Sequence, residues 1–298
     1  MDSTSLLTDH YELTMLQAAL RSEKAHRHSV FEVFARRLSG GRRFAVMAGT
    51  GRVLDAIERF RFRPDQIEFL TRSGVVDAPT ADWLADFRFR GDVWGYPEGE
   101  LWFPGSPVLR VEGTFAEAVV LETLILSILN ADSAIATAAA RMTIAAGDRP
   151  CIEMGSRRTN EQAAVAAARA AWVAGFAATS NLEAGMKYQI PTVGTAAHSF
   201  TLLHDSEREA FEAQVALGVG TTLLVDTYDT ETGVATAIEV TGPGLGAVRL
   251  DSGDLGEVAK ATRAQLDAAG NTDTKITVTS DLDEYAIASP AIAPVDSY

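Results

Sequence analysis

From Cys151 onward the sequence alternates between short β-rich runs and longer helical patterns. Seven runs predict strands, over Cys151–Gly155, Ala177–Asn181, Thr192–Thr195, Thr222–Asp226, Ala247–Asp251, Lys275–Ser280 and Val295–Tyr298. Helical patterns lie between most of them, over Asn160–Phe176, Glu207–Leu217, Thr232–Val240, Gly256–Ala269 and Asp283–Ser289. This alternation is typical of parallel strands joined by crossover helices. It predicts an α/β fold, and seven short strands favour a β/α barrel over the alternative of an open doubly wound sheet.

The strand count does not complete a barrel. A closed barrel of this kind has eight strands and takes about 250 residues, and residues 151–298 are too few for that. The last predicted strand, Val295–Tyr298, stops where the sequence stops. Such a strand would leave an exposed sheet edge and an unfilled barrel. We therefore expect a barrel that is truncated at its C-terminus, with the sequence a fragment of a longer protein.

The first half of the chain has a different pattern. Its predicted elements are a helix over residues 9–20, a strand over Phe31–Leu38, a helix over Gly49–Phe60 capped by Thr50, an antiparallel β meander over Gly91–Val111 and a long helical stretch over Phe115–Ile144. Asn130 and Asp132 predict a break in the last of these. We predict an N-terminal α/β domain over residues 1–130 and the barrel domain over residues 131–298.

Composition excludes several classes of protein. The chain has 26 basic and 40 acidic residues and a net charge of −14, so it repels nucleic acid and anionic membranes. An anionic substrate would have to be bound by local arginines. The single cysteine, Cys151, cannot form an intramolecular disulfide and fits a reducing compartment. The sequence shows no secretory signal and no apolar stretch long enough to span a membrane. We expect a cytoplasmic protein.

Polar residues collect at the C-terminal ends of six predicted strands. They are Gly155-Ser156-Arg157-Arg158, Thr179-Ser180-Asn181, Gly194-Thr195 followed by His198, Asp226-Thr227-Tyr228-Asp229, Asp251-Ser252-Gly253-Asp254 and Thr279-Ser280-Asp281. In a β/α barrel the active site lies at these ends. Arg249 lies inside an apolar run, where a buried arginine needs an anionic partner. The pattern predicts an enzyme site for a phosphorylated anion.

Each of these residues also has a structural interpretation. Arg157 could be surface charge or pair with Glu153, and Ser252 or Asp254 could cap the helix that follows. A lone histidine such as His198 is more often a buried, hydrogen-bonded side chain than a catalyst. By its spacing alone, Tyr11 would be a core residue on a helix face.

Seven motifs in order resemble nicotinate phosphoribosyltransferases, in particular the actinobacterial type. They are LLTDHYELTM, FEVFARRL, FRFRGDV, EMGSRRT, GTAAHSF, LLVDTYDT and VRLDSGDLG, and they extend over essentially the whole chain. The resemblance implies an irregular β/α barrel joined to an N-terminal α/β domain, in a homodimer whose sites lie at the interface. It implies ATP-coupled, magnesium-dependent synthesis of nicotinate mononucleotide from nicotinate and phosphoribosyl pyrophosphate, in NAD salvage.

The resemblance also implies roles for individual residues. His198 is similar to a histidine that ATP phosphorylates, and Asp251 to a carboxylate near the ribose hydroxyls and the reacting carbon. The implied substrate-binding residues are Tyr11, Arg36, Gly155, Arg157, Ser180, Thr195, Arg249, Ser252 and Gly253. Among these, Tyr11 would stack on the pyridine ring from the neighbouring subunit and Arg36 would bind pyrophosphate. Thr195 and Arg249 would contact nicotinate, and Arg157 would lie on the phosphoribosyl side. The resemblance implies no dedicated metal ligand.

The choice of substrate and the completeness of the active site in this chain stay open at this point. The related nicotinamide enzymes have an aspartate at the place of Ser180 and a stacking phenylalanine at the place of Met154. Serine tolerates a carboxylate that aspartate would repel, which favours nicotinate over nicotinamide. Nicotinamide or quinolinate remain alternative acceptors. An inactive or binding-only fragment is a further alternative, because the family's glycine-rich 5′-phosphate loop would follow Tyr298.

Overall fold

The computed structural model describes residues 3–218, 222–289 and 294–298. The chain divides into two compact units, Met1–Thr137 and Ala138–Tyr298, slightly beyond the boundary predicted after residue 130. The first unit contains helices α1 (His10–Arg21), α2 (Thr50–Glu58), α3 (Pro64–Arg72), α4 (Ala78–Ala85) and α5 (Phe115–Val119), and α6 (Glu122–Ala146) begins in it. Its strands are β1 (His28–Val33), β2 (Ala45–Val46), β3 (Asp92–Gly95), β4 (Leu101–Trp102) and β5 (Leu109–Thr114).

The predicted first helix is confirmed, with its first residue at His10. The Asp9 side chain caps α1, and the Glu12 carboxylate reaches back to the Asp9 backbone N–H, which completes a capping box. Glu12 is fully buried and its other oxygen accepts from the Thr123 backbone N–H at 2.7 Å. Leu13 and Leu16 on the same helix are buried in the core of this unit. A periodic apolar face and a polar cap together therefore fix this element.

The antiparallel pairing predicted for residues 91–111 is confirmed, but the meander is wrong. Strand β5 pairs with β1 on one side and β3 on the other, whereas β4 pairs with β2 in a separate two-stranded sheet. Thr50 is not the cap of α2 either. Gly49 takes that position with a positive φ of 98°, and the Glu98 carboxylate accepts from the Gly49 and Gly51 N–H groups. Glycine adopts this backbone conformation without the steric cost of a Cβ.

The predicted break at Asn130–Asp132 is also wrong, because α6 runs unbroken and the interruption lies before Glu122. Asp132 is almost fully buried and forms an ion pair with Arg52 at 2.6 Å. The Thr137 hydroxyl accepts from the Val46 backbone N–H in β2, and the Ser133 hydroxyl bonds the backbone N–H and carbonyl of Ala48 just after it. The helix is long and apolar enough to cross a membrane by length and composition alone. These partners inside the first unit are instead typical of a core helix.

The second unit carries the predicted strand and helix alternation. Its helices after α6 are α7 (Glu161–Val173), α8 (Leu182–Tyr188), α9 (His198–Leu203), α10 (Glu207–Val215), α11 (Thr230–Thr241), α12 (Leu255–Ala268) and α13 (Glu284–Ala288). Its strands are β6 (Ile152–Glu153), β7 (Ala178–Thr179), β8 (Thr222–Leu224), β9 (Ala247–Leu250) and β10 (Lys275–Val278). The short helices α8 and α9 lie where the sequence predicted none.

All described strand pairs in this unit are parallel, as predicted. Strand β9 lies between β8 and β10, and β6 pairs with β7. The predicted strand at 192–195 is reduced to one bridge, between Thr192 and Thr179. The predicted strand at 295–298 is likewise one bridge, between Ser297 and Thr277 of β10. Tyr298 also exchanges backbone hydrogen bonds with Pro150 and Ile152 beside β6. This last segment therefore has partners on both sides, contrary to the exposed edge that we expected.

Candidate active site

Residues that follow β9 and β10 meet Thr195, from the predicted strand at 192–195, around the guanidinium of Arg249. Its Nε donates to Thr279 Oγ1 at 2.9 Å, its Nη1 to Thr195 Oγ1 at 2.9 Å, and its Nη2 to Asp251 Oδ1 at 3.0 Å. The arginine side chain is 15% exposed. A planar guanidinium can hold three acceptors at fixed angles, as a lysine cannot. The anionic partner that the sequence required for this arginine is therefore Asp251.

His198 lies at the first position of α9, beside this network. Its Nδ1 is 3.2 Å from Thr227 Oγ1, within hydrogen-bond distance. Its Nε2 is 3.8 Å from Asp251 Oδ2, beyond hydrogen-bond distance, and the side chain is 41% exposed. The imidazole is therefore held on one side and accessible on the other. His198 is not the buried, fully bonded histidine of the structural interpretation.

Asp251 is kept ionised by its neighbours. Burial acts to raise the pKa of this carboxyl, but the Thr279 hydroxyl, the Arg249 guanidinium and the nearby His198 imidazole together outweigh it. The net result is a pKa below the usual value for aspartate. Because this pKa is depressed in the folded state, the contacts of Asp251 stabilise the site at neutral pH and are lost as the pH falls through it.

Asp226 positions the loop that carries Asp251. Its Oδ2 accepts from the Asp251 backbone N–H at 2.7 Å and from the Ser252 hydroxyl at 2.7 Å. Asp226 is 7% exposed. Its Oδ1 is buried and has no hydrogen-bond partner in the described part of the chain. A buried carboxylate with one unmatched oxygen is costly unless a ligand or cation completes it.

The sequence allowed Ser252 or Asp254 either to cap the following helix or to belong to the site, and the structure distinguishes these roles. Asp254 caps α12 by accepting from the backbone N–H groups of Gly256 and Glu257. Ser252 is not a cap, because its hydroxyl is bound to Asp226. Gly253 has a positive φ of 82°, which only glycine adopts readily. The loop therefore turns sharply between the aspartate at the site and the helix cap.

A second group lies at the ends of β6 and β7. Gly155 and Ser180 occur here, and the Ser180 backbone N–H donates to the Glu153 carbonyl at 2.8 Å. Arg157 is exposed and does not pair with Glu153, so that sequence alternative is wrong. Its neighbour Arg158 forms an exposed ion pair with Asp281 at 3.1 Å. The geometry leaves the Arg157 guanidinium accessible to an anion.

The two remaining predicted residues, Tyr11 and Arg36, belong to the first unit. Tyr11 is 44% exposed, although it lies on α1, and its hydroxyl donates to Glu122 Oε1 at 2.8 Å. Burial and this bond to a carboxylate raise the pKa of the phenol. Arg36 is exposed in the segment after β1. Tyr11 is therefore not the core residue that its spacing alone would predict.

Four residues take part in these groups that were not predicted as site residues: Glu153, Asp226, Thr227 and Thr279. Three of them, Asp226, Thr227 and Thr279, were part of the polar strand ends, which was the available signal. Their contacts join residues 25 or more positions apart, so no local pattern could assign them. Glu153 was considered only as an ion-pair partner of Arg157, whereas its carboxylate binds Gly155 and Thr179.

The two groups together can bind an anion and place a nucleophile. An arginine–aspartate pair, an accessible imidazole and several hydroxyls line the strand ends, which is the chemistry of phosphate and ribose recognition. Within residues 3–218, 222–289 and 294–298, no three His, Cys, Asp or Glu side chains are grouped as metal ligands.

Comparison with known proteins agrees with this chemistry. Residues 6–130 match the nicotinate phosphoribosyltransferase (NAPRTase) N-terminal domain. Nicotinate phosphoribosyltransferase pncB1 of Mycobacterium tuberculosis is 61% identical over 100% of this chain and 68% of its own length. Nicotinate phosphoribosyltransferase of Bacillus subtilis is 38% identical over 96% of this chain and 60% of its own length. The chain thus spans about two thirds of the length of these curated relatives.

Solved structures give the same result. Human nicotinic acid phosphoribosyltransferase superimposes with a TM-score of 0.82 at 28% identity, covering 97% of this chain and 71% of the human one. A nicotinate-nucleotide pyrophosphorylase from Pyrococcus furiosus gives 0.83 at 27% identity, covering 98% and 70%. Because the 61% identical relative is matched over the full length of this chain, the chain belongs to the nicotinate phosphoribosyltransferase family, a family of enzymes of NAD salvage.

Proposed function

We propose that this chain transfers phosphoribosyl from phosphoribosyl pyrophosphate to the ring nitrogen of nicotinate, with ATP as a coupling substrate. The observation that carries the proposal is the contact between Arg249, Thr195 and Asp251, with His198 beside it. This group combines a fixed cation, a hydroxyl and a carboxylate at the strand ends of a parallel α/β unit. Those are the functions needed to orient a carboxylated pyridine against a ribose carbon.

In the proposed reaction His198 is the nucleophile toward ATP. A neutral imidazole nitrogen attacks the γ-phosphorus, ADP leaves, and a phosphohistidine forms. Thr227 holds Nδ1 of the ring at 3.2 Å and so limits its rotation. The side chain remains accessible enough to receive a phosphoryl group. Hydrolysis of the phosphohistidine then couples ATP consumption to the transfer.

The transfer step depends on charge placement. Pyrophosphate leaves C1 of the ribose, positive charge develops on the ring, and the pyridine nitrogen attacks from the opposite face. Asp251, ionised because Arg249 and Thr279 hold it, would stabilise that positive charge and accept from the ribose hydroxyls. Arg157 would contact the phosphoribosyl group and Arg36 the pyrophosphate, since both side chains are exposed.

The magnesium ion that the resemblance implies fits the residues present. Asp226 offers a buried carboxylate oxygen without a hydrogen-bond partner in the described residues, on the side chain that fixes the Asp251 loop. Magnesium is commonly held by one or two carboxylates together with substrate phosphates, without a full protein ligand set. Asp226 would hold it here, together with the substrate phosphates. When bound, the ion neutralises the leaving pyrophosphate.

We also propose the finer features of the fold and assembly. The parallel strands of the second unit would belong to an irregular β/α barrel, in a cytoplasmic homodimer with shared active sites. The side chain of Tyr11 is 44% exposed although it is tethered to Glu122. That arrangement supports a role in which the ring stacks on the pyridine of the neighbouring subunit.

Substrate choice gives the first test. Nicotinate, nicotinamide and quinolinate should be assayed with phosphoribosyl pyrophosphate, with and without ATP, and product followed by chromatography. We expect turnover of nicotinate in preference to the other two and stimulation by ATP. Preferred use of nicotinamide or quinolinate, or no turnover of any of the three, would contradict the proposal.

Ser180→Asp should specifically weaken the use of nicotinate. The new carboxylate would repel the carboxylate of the substrate, and an uncompensated like charge at a binding site costs several kcal/mol. We expect KM for nicotinate to rise at least tenfold, which corresponds to about 1.4 kcal/mol. Ser180→Asn, which adds the same bulk without charge, is the control and should change KM less. Equal kinetics for the aspartate variant and the wild type would refute the assignment.

Shared sites predict recovery of activity on mixing two inactive variants. Tyr11→Ala and His198→Ala would each damage every site of their own homodimers, whereas a mixed dimer would contain one intact site. After co-refolding at equal amounts, random pairing in a two-fold dimer should restore roughly a quarter of wild-type activity. A mixture of His198→Ala and Asp251→Asn is the control, because both changes lie in the second unit and no intact site can form. No recovery in the first mixture would contradict shared sites.

A further inference from the structure

The carboxylate of Glu153 connects two loops at the rim of the site. Glu153 is the last residue of β6 and is half-buried. Its Oε1 accepts from the Gly155 backbone N–H at 2.5 Å, and its Oε2 accepts from the Thr179 hydroxyl at 2.6 Å. Thr179 is 1% exposed. Short hydrogen bonds to a carboxylate are about twice as strong as neutral ones.

Each partner of this carboxylate begins a different loop. Gly155 precedes Arg157 by two residues, and Thr179 precedes Ser180 by one. A second bond joins the same two loops, because the Asn181 side-chain amide donates to the Ser156 hydroxyl at 3.0 Å. The Thr179 hydroxyl oxygen also accepts from the Asn181 backbone N–H at 3.0 Å. The two loops are thus cross-linked at their bases by Glu153 and by the Asn181–Ser156 bond.

The contact between the Glu153 carboxylate and the Gly155 N–H also accounts for the glycine at position 155. Its φ is not positive, so the backbone itself does not require glycine. A Cβ at this position would lie 2.9 Å from Glu153 Oε1, closer than real Cβ contacts. Any larger residue would therefore push the carboxylate away from the Gly155 N–H. The site has room here for the carboxylate only because residue 155 has no side chain.

We infer that Glu153 is a positioning residue, which sets the distance between the Arg157 loop and the Ser180 loop through Gly155 and Thr179. The inference rests on the proposed function, in which these loops contact the phosphoribosyl group and the pyridine carboxylate. Glu153 itself binds neither substrate. Its loss would leave both loops present but displaced, so the groups that they carry would hold both substrates less tightly.

The test compares Glu153→Ala, Thr179→Val and the double variant in steady-state kinetics. Each single change should raise KM for nicotinate and for phosphoribosyl pyrophosphate about tenfold and lower kcat less. The loss in the double variant should be smaller than the product of the two single losses, because both single changes break the Glu153–Thr179 hydrogen bond. Glu153→Gln and Thr179→Ser keep one hydrogen-bonding group each and should recover most of the loss. Glu183→Gln changes an exposed acid on α8 and is the matched control.

Other outcomes are informative too. Binding of nicotinate and of phosphoribosyl pyrophosphate to the wild type should first be measured by calorimetry. If the wild type binds neither, the proposed function is wrong, whatever the variants do. If the wild type binds both and Glu153→Ala binds them equally well, this inference is wrong. A lower melting temperature with unchanged KM values would also overturn it, because that is the signature of a merely structural carboxylate.

Discussion

Replacing His198 with alanine is expected to abolish the transfer of label from γ-labelled ATP to the protein. The reason is that His198 has the required combination of contacts: one ring nitrogen is held by Thr227, the other lies 3.8 Å from Asp251, and the side chain is 41% exposed. An imidazole nitrogen is a competent nucleophile at neutral pH. The label should be stable to base and lost in acid, as a phosphorus–nitrogen bond requires.

The chain offers a matched control for this experiment. His204 lies one residue beyond the same short helix, and its Nδ1 is 2.8 Å from the Phe200 carbonyl oxygen. His204→Ala should keep both the label and the turnover. His198→Ala should lose the label completely and lower ATP-stimulated turnover about a hundredfold or more, in the range seen when a catalytic nucleophile is removed. Undiminished label in the His198 variant, or loss in the His204 variant alone, would assign the phosphoryl group to another residue.

Phosphoribosyl transfer without ATP should be followed in the same samples. If the histidine acts only in coupling, the variant will retain the slow ATP-independent rate of the wild type. If the imidazole also contacts the ribose or pyrophosphate, that basal rate will fall as well. The first result would limit the role of His198 to coupling, and the second would add a contact with the transferred group.

The features of this fold and site that the sequence predicted are those that follow from patterns among residues close together along the chain. The helix at residues 10–21 was predictable because its cap and its apolar face are local. The parallel pairing of β8, β9 and β10 was predictable because apolar runs alternate with helical patterns. Placing polar residues at strand ends then brought Thr195, His198, Arg249 and Asp251 into one neighbourhood, and the structure brings them into contact or close proximity.

The features that were missed all depend on distant partners. The break predicted at Asn130–Asp132 does not occur because Arg52, far away in sequence, neutralises the buried aspartate. The meander was wrong because β4 pairs with β2, a strand of two residues that has no detectable pattern. Asp226 was not chosen because nothing local indicates that its carboxylate binds the backbone of Asp251. The periodicity of apolar residues predicts helices and strands, whereas the contacts between their side chains depend on how these elements pack.

Arg249→Lys is expected to lose most activity even though it keeps the positive charge. The guanidinium donates simultaneously to Thr279, Thr195 and Asp251, and a lysine ammonium on a flexible chain cannot reach all three. Removing one fixed charge-stabilising contact at a reaction centre lowers kcat about a hundredfold or more. Turnover should therefore fall by at least that factor, with the loss in kcat as well as in KM for nicotinate.

The matched control is Arg263→Lys in the same unit. Arg263 is 19% exposed, and its guanidinium also bonds a carboxylate and other oxygens: the Asp267 carboxylate and the Thr274 and Asn271 carbonyls. Its substitution should lower the melting temperature by a similar amount without changing kcat. Equal losses of activity in the two variants would mean that Arg249 only stabilises the fold.

The pH dependence separates the charge of Arg249 from its geometry. In the wild type the hydrogen bonds and charge of Arg249 help hold the pKa of Asp251 below its usual value, against the effect of burial. In Arg249→Ala burial would act without that cation, so the pKa of Asp251 should rise.

Activity should then fall at a higher pH on the acid side than in the wild type, whereas Arg249→Lys should shift this limb less. The residual rates of the three proteins should be measured between about pH 3 and pH 8, because the pKa of Asp251 in the wild type lies below the ordinary aspartate value of about 3.9. Coincident acid limbs would show that Asp251 does not have to be ionised for the reaction, which would remove it from the transfer step.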